Sequence, residues 1–282
     1  MNYRNKSIFD WYDYKPNDIS STTSLEIMNY LKNNTNEDIK NVIIRDIDSQ
    51  IGIIVQINNN IHVNNIFNLV NRLNYDLKFF AIQTKFNNTF VKNKNMFILK
   101  NDFISFEVNY LDRKIIKLLP DSFYQVNIGV LDQYYDNFIR WIEDSKCRNM
   151  INLGDDGGNI CNILSSLFDS MASYFHCTSS YRCAEEMIKV NGITNLQLTF
   201  NLDDIKLEDA ILFINPGRKG LKQNEINFIL KSNIKYVIYM ACNDDAFQKN
   251  IKQINYKILE CVKILSMPVI NKFQFLYFCV NK

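Results

Sequence analysis

Residues 210–243 read AILFINPGRKGLKQNEINFILKSNIKYVIYMACN. Two apolar runs in this stretch, AILFIN and YVIYMAC, have the length and composition of buried strands. The segment NEINFILKS between them carries its apolar residues at helical spacing. A strand, a helix and a second strand of these lengths are typical of a parallel sheet. The stretch therefore predicts an α/β domain.

The same alternation extends on both sides of this stretch. Before it, the pattern predicts a helix over residues 130–144, the strand NMINLG, a helix over residues 164–175, a strand-like HCT at residues 176–178, a helix over residues 184–190 and the strand LQLTF. After it, KILECVKIL and FQFLYFCV predict an antiparallel hairpin that closes the sheet. A parallel sheet with such a hairpin is typical of a Rossmann-like methyltransferase domain, which we assign to residues 116–282.

Residues 1–115 have a different rhythm. Between Val42 and Asn109 the apolar runs are short, β-branched and separated by turn-forming residues, which predicts an antiparallel sheet. Ile66–Leu73 has helical spacing and is expected to pack across that sheet. The predicted fold class is thus α/β, with a smaller β-rich α+β domain before the Rossmann-like one.

Bulk composition narrows the class of protein. The 282 residues are 47% hydrophobic and 22% charged, which indicates a folded core, and a net charge of +2 neither requires nor excludes nucleic acid. No window of uncharged apolar residues is long enough for a transmembrane helix, so no membrane association is expected. Seven cysteines without a CxxC pair predict reduced thiols in an intracellular, cytoplasmic setting. Two histidines disfavour a His-based metal site.

Polar and glycine-rich clusters follow the predicted strands. NLGDDGG (residues 152–158) follows the first strand of the domain, NPGRKG follows AILFI, ACN follows YVIYM, and DSFYQVN (residues 121–127) precedes them all. In open parallel sheets, ligands bind beyond the carboxyl ends of the strands. These clusters therefore predict the functional site.

In order and spacing, these clusters resemble the blocks of the RNA uracil-C5 methyltransferase family over roughly residues 104–280. That family has a PxxFFQVN-like entry, a D-L-Y-C-G-x-G loop, DPPRKG and SCNP. The resemblance implies S-adenosylmethionine as cofactor and RNA as partner. The chain has no evident N-terminal oligonucleotide-binding barrel and no four-cysteine iron–sulfur motif, which favours the tRNA-type members.

The resemblance also implies roles for single residues. Cys242 matches the cysteine whose thiolate attacks C6 of the uracil, although composition alone favours a small buried hydrophobe at a strand end. Asn215 matches the aspartate that reads the uracil edge, and Gln274 falls at the glutamate that removes the C5 proton. The candidate cofactor-binding residues are Gln125, Gly154, Gly157 and Ser179, with Ser179 expected at the end of the second strand. The candidate RNA-binding residues are Arg218, Lys219 and Lys222.

Several of these positions depart from the family pattern. Ser179, Asn215 and Gln274 are neutral where the family has acids, and a missing general base costs roughly 10²–10⁴-fold in rate. In the glycine-rich loop, Asn152 replaces an acid, while Asp155 and Asp156 are unusual additions.

Three hypotheses follow from this pattern. The first is a degenerate family member, a pseudoenzyme that binds RNA or acts as a scaffold subunit with protein assembly partners. The second is an active RNA (tRNA) uracil-C5 methyltransferase with Cys242 as nucleophile and a substitute base, such as Asp244, Asp245 or a water held by Gln274. The third is a subunit that binds protein partners and no RNA. We favour the first.

Overall fold

The computed structural model describes most of the chain, and the predicted site residues Gln125, Gly157, Arg218 and Cys242 lie outside the described residues. The described residues are 5–10, 22–34, 39–57, 63–84, 96–120, 122, 131–154, 156, 158–217, 219–241, 243–267 and 272–282. The chain divides into two compact units. The first consists of Met1–Phe106 with Lys117–Ile128 and the second of Glu107–Ile116 with Gly129–Lys282, whereas the sequence predicts a single boundary between residues 115 and 116.

The first unit is built on a five-stranded sheet in the order β1-β2-β3-β4-β5. Its elements are β1 (Asn5–Asp10), α1 (Thr22–Asn34), β2 (Ile39–Ile47), β3 (Gln50–Ile57), α2 (Val63–Val70), β4 (Asp76–Thr84) and β5 (Met96–Asn101). The predicted helix is present as α2, and its Ile66 and Val70 are buried in the core of this sheet. The prediction of a wholly antiparallel sheet is wrong, because α2 crosses over between β3 and β4 and these two strands are parallel.

A two-stranded sheet and then a seven-stranded sheet follow. The first is formed by β6 (Ile104–Asn109) and β7 (Arg113–Leu118). The strands of the second are β8 (Asn149–Leu153), β9 (Ser170–Tyr174), β10 (Leu196–Thr199), β11 (Ala210–Ile214), β12 (Tyr236–Ala241), β13 (Tyr256–Met267) and β14 (Lys272–Asn281). Its helices are α3 (Leu131–Ser145), α4 (Asn159–Ile163), α5 (Thr178–Asn191), α6 (Gln223–Lys231) and α7 (Asp244–Ile254).

The order of the large sheet is β10-β9-β8-β11-β12-β14-β13. The first five strands run parallel, and β14 and β13 complete the sheet in antiparallel pairs. The predicted Rossmann-like domain with a closing hairpin is therefore confirmed. Among the described residues, no helix is both long and apolar enough to cross a membrane.

One predicted helix of this unit is wrong. Residues 164–175 contain a short 3₁₀ turn, Ser165–Leu167, and then the strand β9. Met171 and Ala172 lie in the buried middle of the sheet, and such a short apolar run cannot be told from a helix by periodicity. The HCT run consequently lies beyond the strand and not within it. Ser179 falls in the first turn of α5, so its predicted place at the strand end is also wrong.

Tyr256 makes the stability of the second unit sensitive to alkaline pH. Its hydroxyl donates to the backbone oxygen of Ile234 at 2.5 Å, and burial raises the pKa of Tyr256 to about 12. Tyrosine in an unfolded chain ionises near about pH 10, so the folded state holds this proton more tightly and stability is lost as pH rises from about 10 towards 12. We expect Tyr256→Phe to remove part of this loss, measured by urea unfolding at neutral and alkaline pH. An unchanged pH dependence would contradict the assignment.

Candidate active site

Two predicted site residues meet at the carboxyl edge of the large sheet. Gly154 follows β8, and Asn215 follows the neighbouring strand β11. The N–H of Asn215 donates to the backbone oxygen of Leu153 at 3.1 Å. A Cβ on Gly154 would lie 2.9 Å from the backbone oxygen of Asn215, so the approach of the two segments requires glycine. The structure thus brings a predicted cofactor-binding position against a predicted catalytic one.

Asp156 lies in the glycine-rich loop and has a structural role that the sequence did not predict. Its side chain is 3% exposed. One carboxylate oxygen accepts from the N–H of Gly158 at 2.9 Å and from Nδ2 of Asn152 at 3.1 Å, and the other accepts from the N–H of Ile160 at 3.1 Å. The carboxylate therefore faces the interior and holds the loop from within. The available signal was the pairing of an amide at position 152 with an acid four residues later.

The interior side of this loop is polar but carries little additional charge. Nδ2 of Asn152 also donates to the hydroxyl of Ser173 at 3.1 Å, and both side chains are fully buried. Burial raises the pKa of the Cys161 thiol well above its usual range, and the charge of Asp156 raises it further. The thiol consequently stays protonated beside the carboxylate.

An aromatic side chain occupies the position just beyond β9. Phe175 is 1% exposed, and its ring meets that of Tyr181 edge-on with centroids 5.6 Å apart. A Cβ on Gly158 would lie 3.7 Å from the Phe175 ring, and the φ of Gly158 is +76°. The ring therefore packs against the glycine-rich loop.

The loop between β11 and α6, residues 215–222, is anchored near its second end by Asn250. The side-chain oxygen of Asn250 accepts from the N–H of Leu221 at 2.8 Å and from the hydroxyl of Tyr239 at 2.9 Å. Gly220 has a φ of +77°, and a Cβ there would collide with the Asn250 amide. The predicted RNA-binding residues Lys219 and Lys222 are both exposed on this loop.

Gln274 lies on β14 and is committed to an internal hydrogen bond. The side chain is 4% exposed, and its oxygen accepts from the hydroxyl of Tyr134 on α3 at 2.8 Å. Tyr134 is itself 1% exposed and stacks on Phe138. Gln274 is therefore part of the packing between α3 and the sheet.

Asp244, which follows the predicted nucleophile by two positions, is exposed at the start of α7. The hydroxyl of Tyr277 donates to its carboxylate, and Asn243 caps the helix by accepting from the N–H of Asp245 at 3.1 Å. Burial and the hydrogen bond to Asp244 raise the pKa of Tyr277 well above its usual range. The Asp244 carboxylate is thus fixed in place beside the end of β12.

Comparison with known proteins shows which proteins this chain is similar to. No protein-family model matches the chain. An uncharacterized RNA methyltransferase of Fusobacterium nucleatum is 24% identical over 234 residues, which cover 78% of this chain and 50% of that protein. The 23S rRNA (uracil(747)-C(5))-methyltransferase of Xenorhabdus nematophila is 21% identical over 154 residues, 52% of this chain and 41% of that protein. The chain is therefore similar in sequence to RNA methyltransferases, among them a uracil-C5 methyltransferase of ribosomal RNA.

A solved structure shares the fold of this chain. The Pyrococcus abyssi tRNA (uracil-54, C5)-methyltransferase, in complex with S-adenosyl-L-homocysteine, superposes with a TM-score of 0.68 at 14% identity and covers 99% of this chain and 76% of its own. The chain spans about half the length of the curated relatives it matches, 50% and 41% of them.

S-adenosylmethionine, the cofactor that the resemblance implies, fits this chain at one end of its site and not at the other. The glycine-rich loop retains Gly154 and Gly158 and is held in shape by Asp156. At the ribose end the family has an acid that closes the second strand, whereas the position beyond β9 holds the buried ring of Phe175. A phenyl ring has no hydrogen-bond acceptor for ribose hydroxyls. The residues present therefore do not fit the cofactor at its ribose end.

Proposed function

We propose that this chain is an RNA-binding member of the RNA uracil-C5 methyltransferase family that has lost methyl transfer and acts as an RNA-binding or scaffold subunit. The observation that carries the proposal is the state of Gln274. The family's general base stands at this position, and an amide cannot accept a proton at neutral pH. The side chain is also 4% exposed and bonded to Tyr134, so it supports the fold.

The chain lacks carboxylates at ligand-facing positions but has one at a position that supports the loop. This distribution favours the same proposal. Asn215, Gln274 and the position beyond β9 lack the acids that would face uracil, proton or cofactor. Asp156, which faces the interior and accepts three hydrogen bonds, supplies a carboxylate that supports the loop. A chain that has a supporting carboxylate in this loop and lacks the ligand-facing ones is suited to holding the fold without the reaction.

Retention of RNA binding is supported by the loop at residues 215–222. The contact of Gly154 with Asn215 fixes one end of the loop, and Asn250 fixes the other. Lys219 and Lys222 are exposed cations on this segment, the chemistry that binds phosphates. The Xenorhabdus nematophila relative is named for ribosomal RNA and the Pyrococcus abyssi structure for transfer RNA, so a structured RNA of either kind is the proposed partner.

An active enzyme is the second candidate, and Asp244 favours it. This carboxylate is exposed, held by Tyr277 and two residues from Cys242, which would be the nucleophile. In that case Asp244 would replace the missing base. The activity of an S-adenosylmethionine-dependent RNA uracil-C5 methyltransferase would then require both Cys242 and Asp244.

Calorimetry with S-adenosylmethionine separates these candidates. We expect no binding at cofactor concentrations up to about 1 mM. A Kd of about 1 mM corresponds to a binding free energy of only about −4 kcal/mol. Filter binding of a tRNA transcript at low salt is expected to succeed with the same preparation. Micromolar cofactor binding, with labelled-methyl transfer that Cys242→Ala and Asp244→Asn both abolish, would establish the enzyme instead. No RNA affinity at moderate salt would favour a subunit that binds only proteins.

A further inference from the structure

His176 lies just beyond β9 and pairs with a buried carboxylate on α6. Its Nε2 is 2.9 Å from Oε1 of Glu225. The Glu225 side chain is 6% exposed, while that of His176 is 24% exposed. A carboxylate this deeply buried is stable only when its oxygens are supplied with hydrogen-bond donors. His176 is one of two donors that the described part of the chain provides.

The second donor connects this pair to the loop at residues 215–222. The other oxygen of Glu225 accepts from the backbone N–H of Lys222 at 2.6 Å. Lys222 is both the last residue of that loop and the residue immediately before α6. Glu225 thus joins the end of β9 to the end of the loop through two hydrogen bonds to one carboxylate.

The imidazole is held on a second side by β9. The rings of His176 and Tyr174 meet edge-on with centroids 4.7 Å apart, and the Tyr174 hydroxyl accepts from Nδ2 of Asn224 at 3.2 Å. Asn224 lies beside Glu225 on α6, so the ring and the helix are aligned by two neighbouring side chains. The His176 imidazole therefore has a fixed orientation in which one nitrogen points at Glu225.

We propose that His176 is a positioning residue for RNA binding: through Glu225 it fixes the end of the loop that presents Lys219 and Lys222. This inference rests on the proposed function, since it concerns the same RNA-binding loop. Asn250 holds Leu221 from the opposite direction. Two independent anchors thus converge on residues 220–222, and removal of either would let the loop sample orientations in which its lysines do not meet the phosphates together.

The test compares positioning with direct contact through the salt dependence of RNA binding. Affinity for a tRNA transcript is measured by fluorescence anisotropy at several salt concentrations for the full chain and for His176→Ala. In His176→Ala the binding-competent orientation of the loop would be less populated, which lowers the affinity by the same factor at every salt concentration. We therefore expect roughly tenfold weaker RNA binding and an unchanged slope of log affinity against log salt concentration. Lys222→Gln is expected to reduce that slope by about one, as loss of a phosphate contact should. His176→Gln, which can still donate to Glu225, is expected to restore most of the affinity.

The matched control is Lys189→Gln, which removes one exposed cation near the far end of α5 and should change neither affinity nor slope. Amide hydrogen exchange of the free proteins adds a readout without RNA: His176→Ala should accelerate exchange at Leu221 and Lys222 but not at Gly158. If the wild-type chain does not bind RNA, the proposed function is wrong. The exchange result still tests whether His176 fixes the end of the loop. Unchanged exchange at Leu221 and Lys222, or a salt slope reduced by about one in His176→Ala, would overturn the inference.

Discussion

Replacing Asp156 with alanine is expected to lower the free energy of unfolding by about 3–5 kcal/mol, because three neutral buried donors lose their carboxylate acceptor at once. The change leaves the N–H groups of Gly158 and Ile160 and the amide of Asn152 without the acceptor that they share. Each unsatisfied buried donor costs about 1–3 kcal/mol, which supports an effect of this size. Urea unfolding followed by circular dichroism measures it.

A reciprocal exchange tests whether Asn152 and Asp156 act as a pair. Asn152→Asp alone would set two carboxylates about 3 Å apart in the interior, where like charges destabilise each other strongly. Asp156→Asn alone would place an amide hydrogen against an N–H donor. The double variant, with the acid on the strand and the amide in the loop, is expected to be less destabilised than the sum of the two single variants. Additive losses would show that the pair is not coupled.

Asp169→Asn provides the matched control for these variants. Asp169 is an exposed carboxylate, 59% accessible and paired with Arg148 at 2.7 Å. Surface ion pairs contribute about 0–1 kcal/mol, so little change is expected. An equal loss in this variant would mean that the effect at Asp156 reflects net charge and not the buried site.

The strands β11 and β12 in the second unit were predictable because each is marked by its own chemistry. AILFI and YVIYM are uniformly apolar, as strands buried on both faces must be, and the polar clusters that follow them mark the ligand edge of the sheet. β9 was not predictable in this way. Its sequence SMASY combines small residues that suit a helix equally well, and only its place between β8 and β10 decides the matter. The misplacement of Ser179 follows directly from that error.

The functions of polar side chains within the site were less predictable than their positions. Asp156 looks in sequence like an addition to a ligand-binding loop, yet its carboxylate points inward. In sequence, His176 looks like a surface residue. The buried Glu225 that orients it lies on α6, which is distant in sequence. In both cases the partner or the direction of the side chain is set by packing between elements. Local sequence alone does not determine either.

Restoring the family's glutamate by Gln274→Glu is expected to destabilise the fold in a pH-dependent way. The new carboxyl would lie in a 4% exposed position beside Tyr134, so burial would raise its pKa above the unfolded value of about 4.3. Below that value both states are protonated and stability is nearly unchanged. As pH rises, the unfolded chain ionises first, and stability falls until the folded carboxyl ionises as well. We expect a loss of about 2–4 kcal/mol at pH 8 and less than about 1 kcal/mol at pH 4.

Urea unfolding at the two pH values measures this effect, with Gln133→Glu as control because Gln133 is exposed on the same helix as Tyr134. The control should show no such pH dependence. Methyl transfer should remain absent in Gln274→Glu, because a base added at this position restores neither an acceptor at the ribose end nor the acid at Asn215. If Gln274→Glu were stable at pH 8 and transferred labelled methyl groups to RNA, position 274 would be open to substrate. The chain would then be an enzyme lacking one proton acceptor.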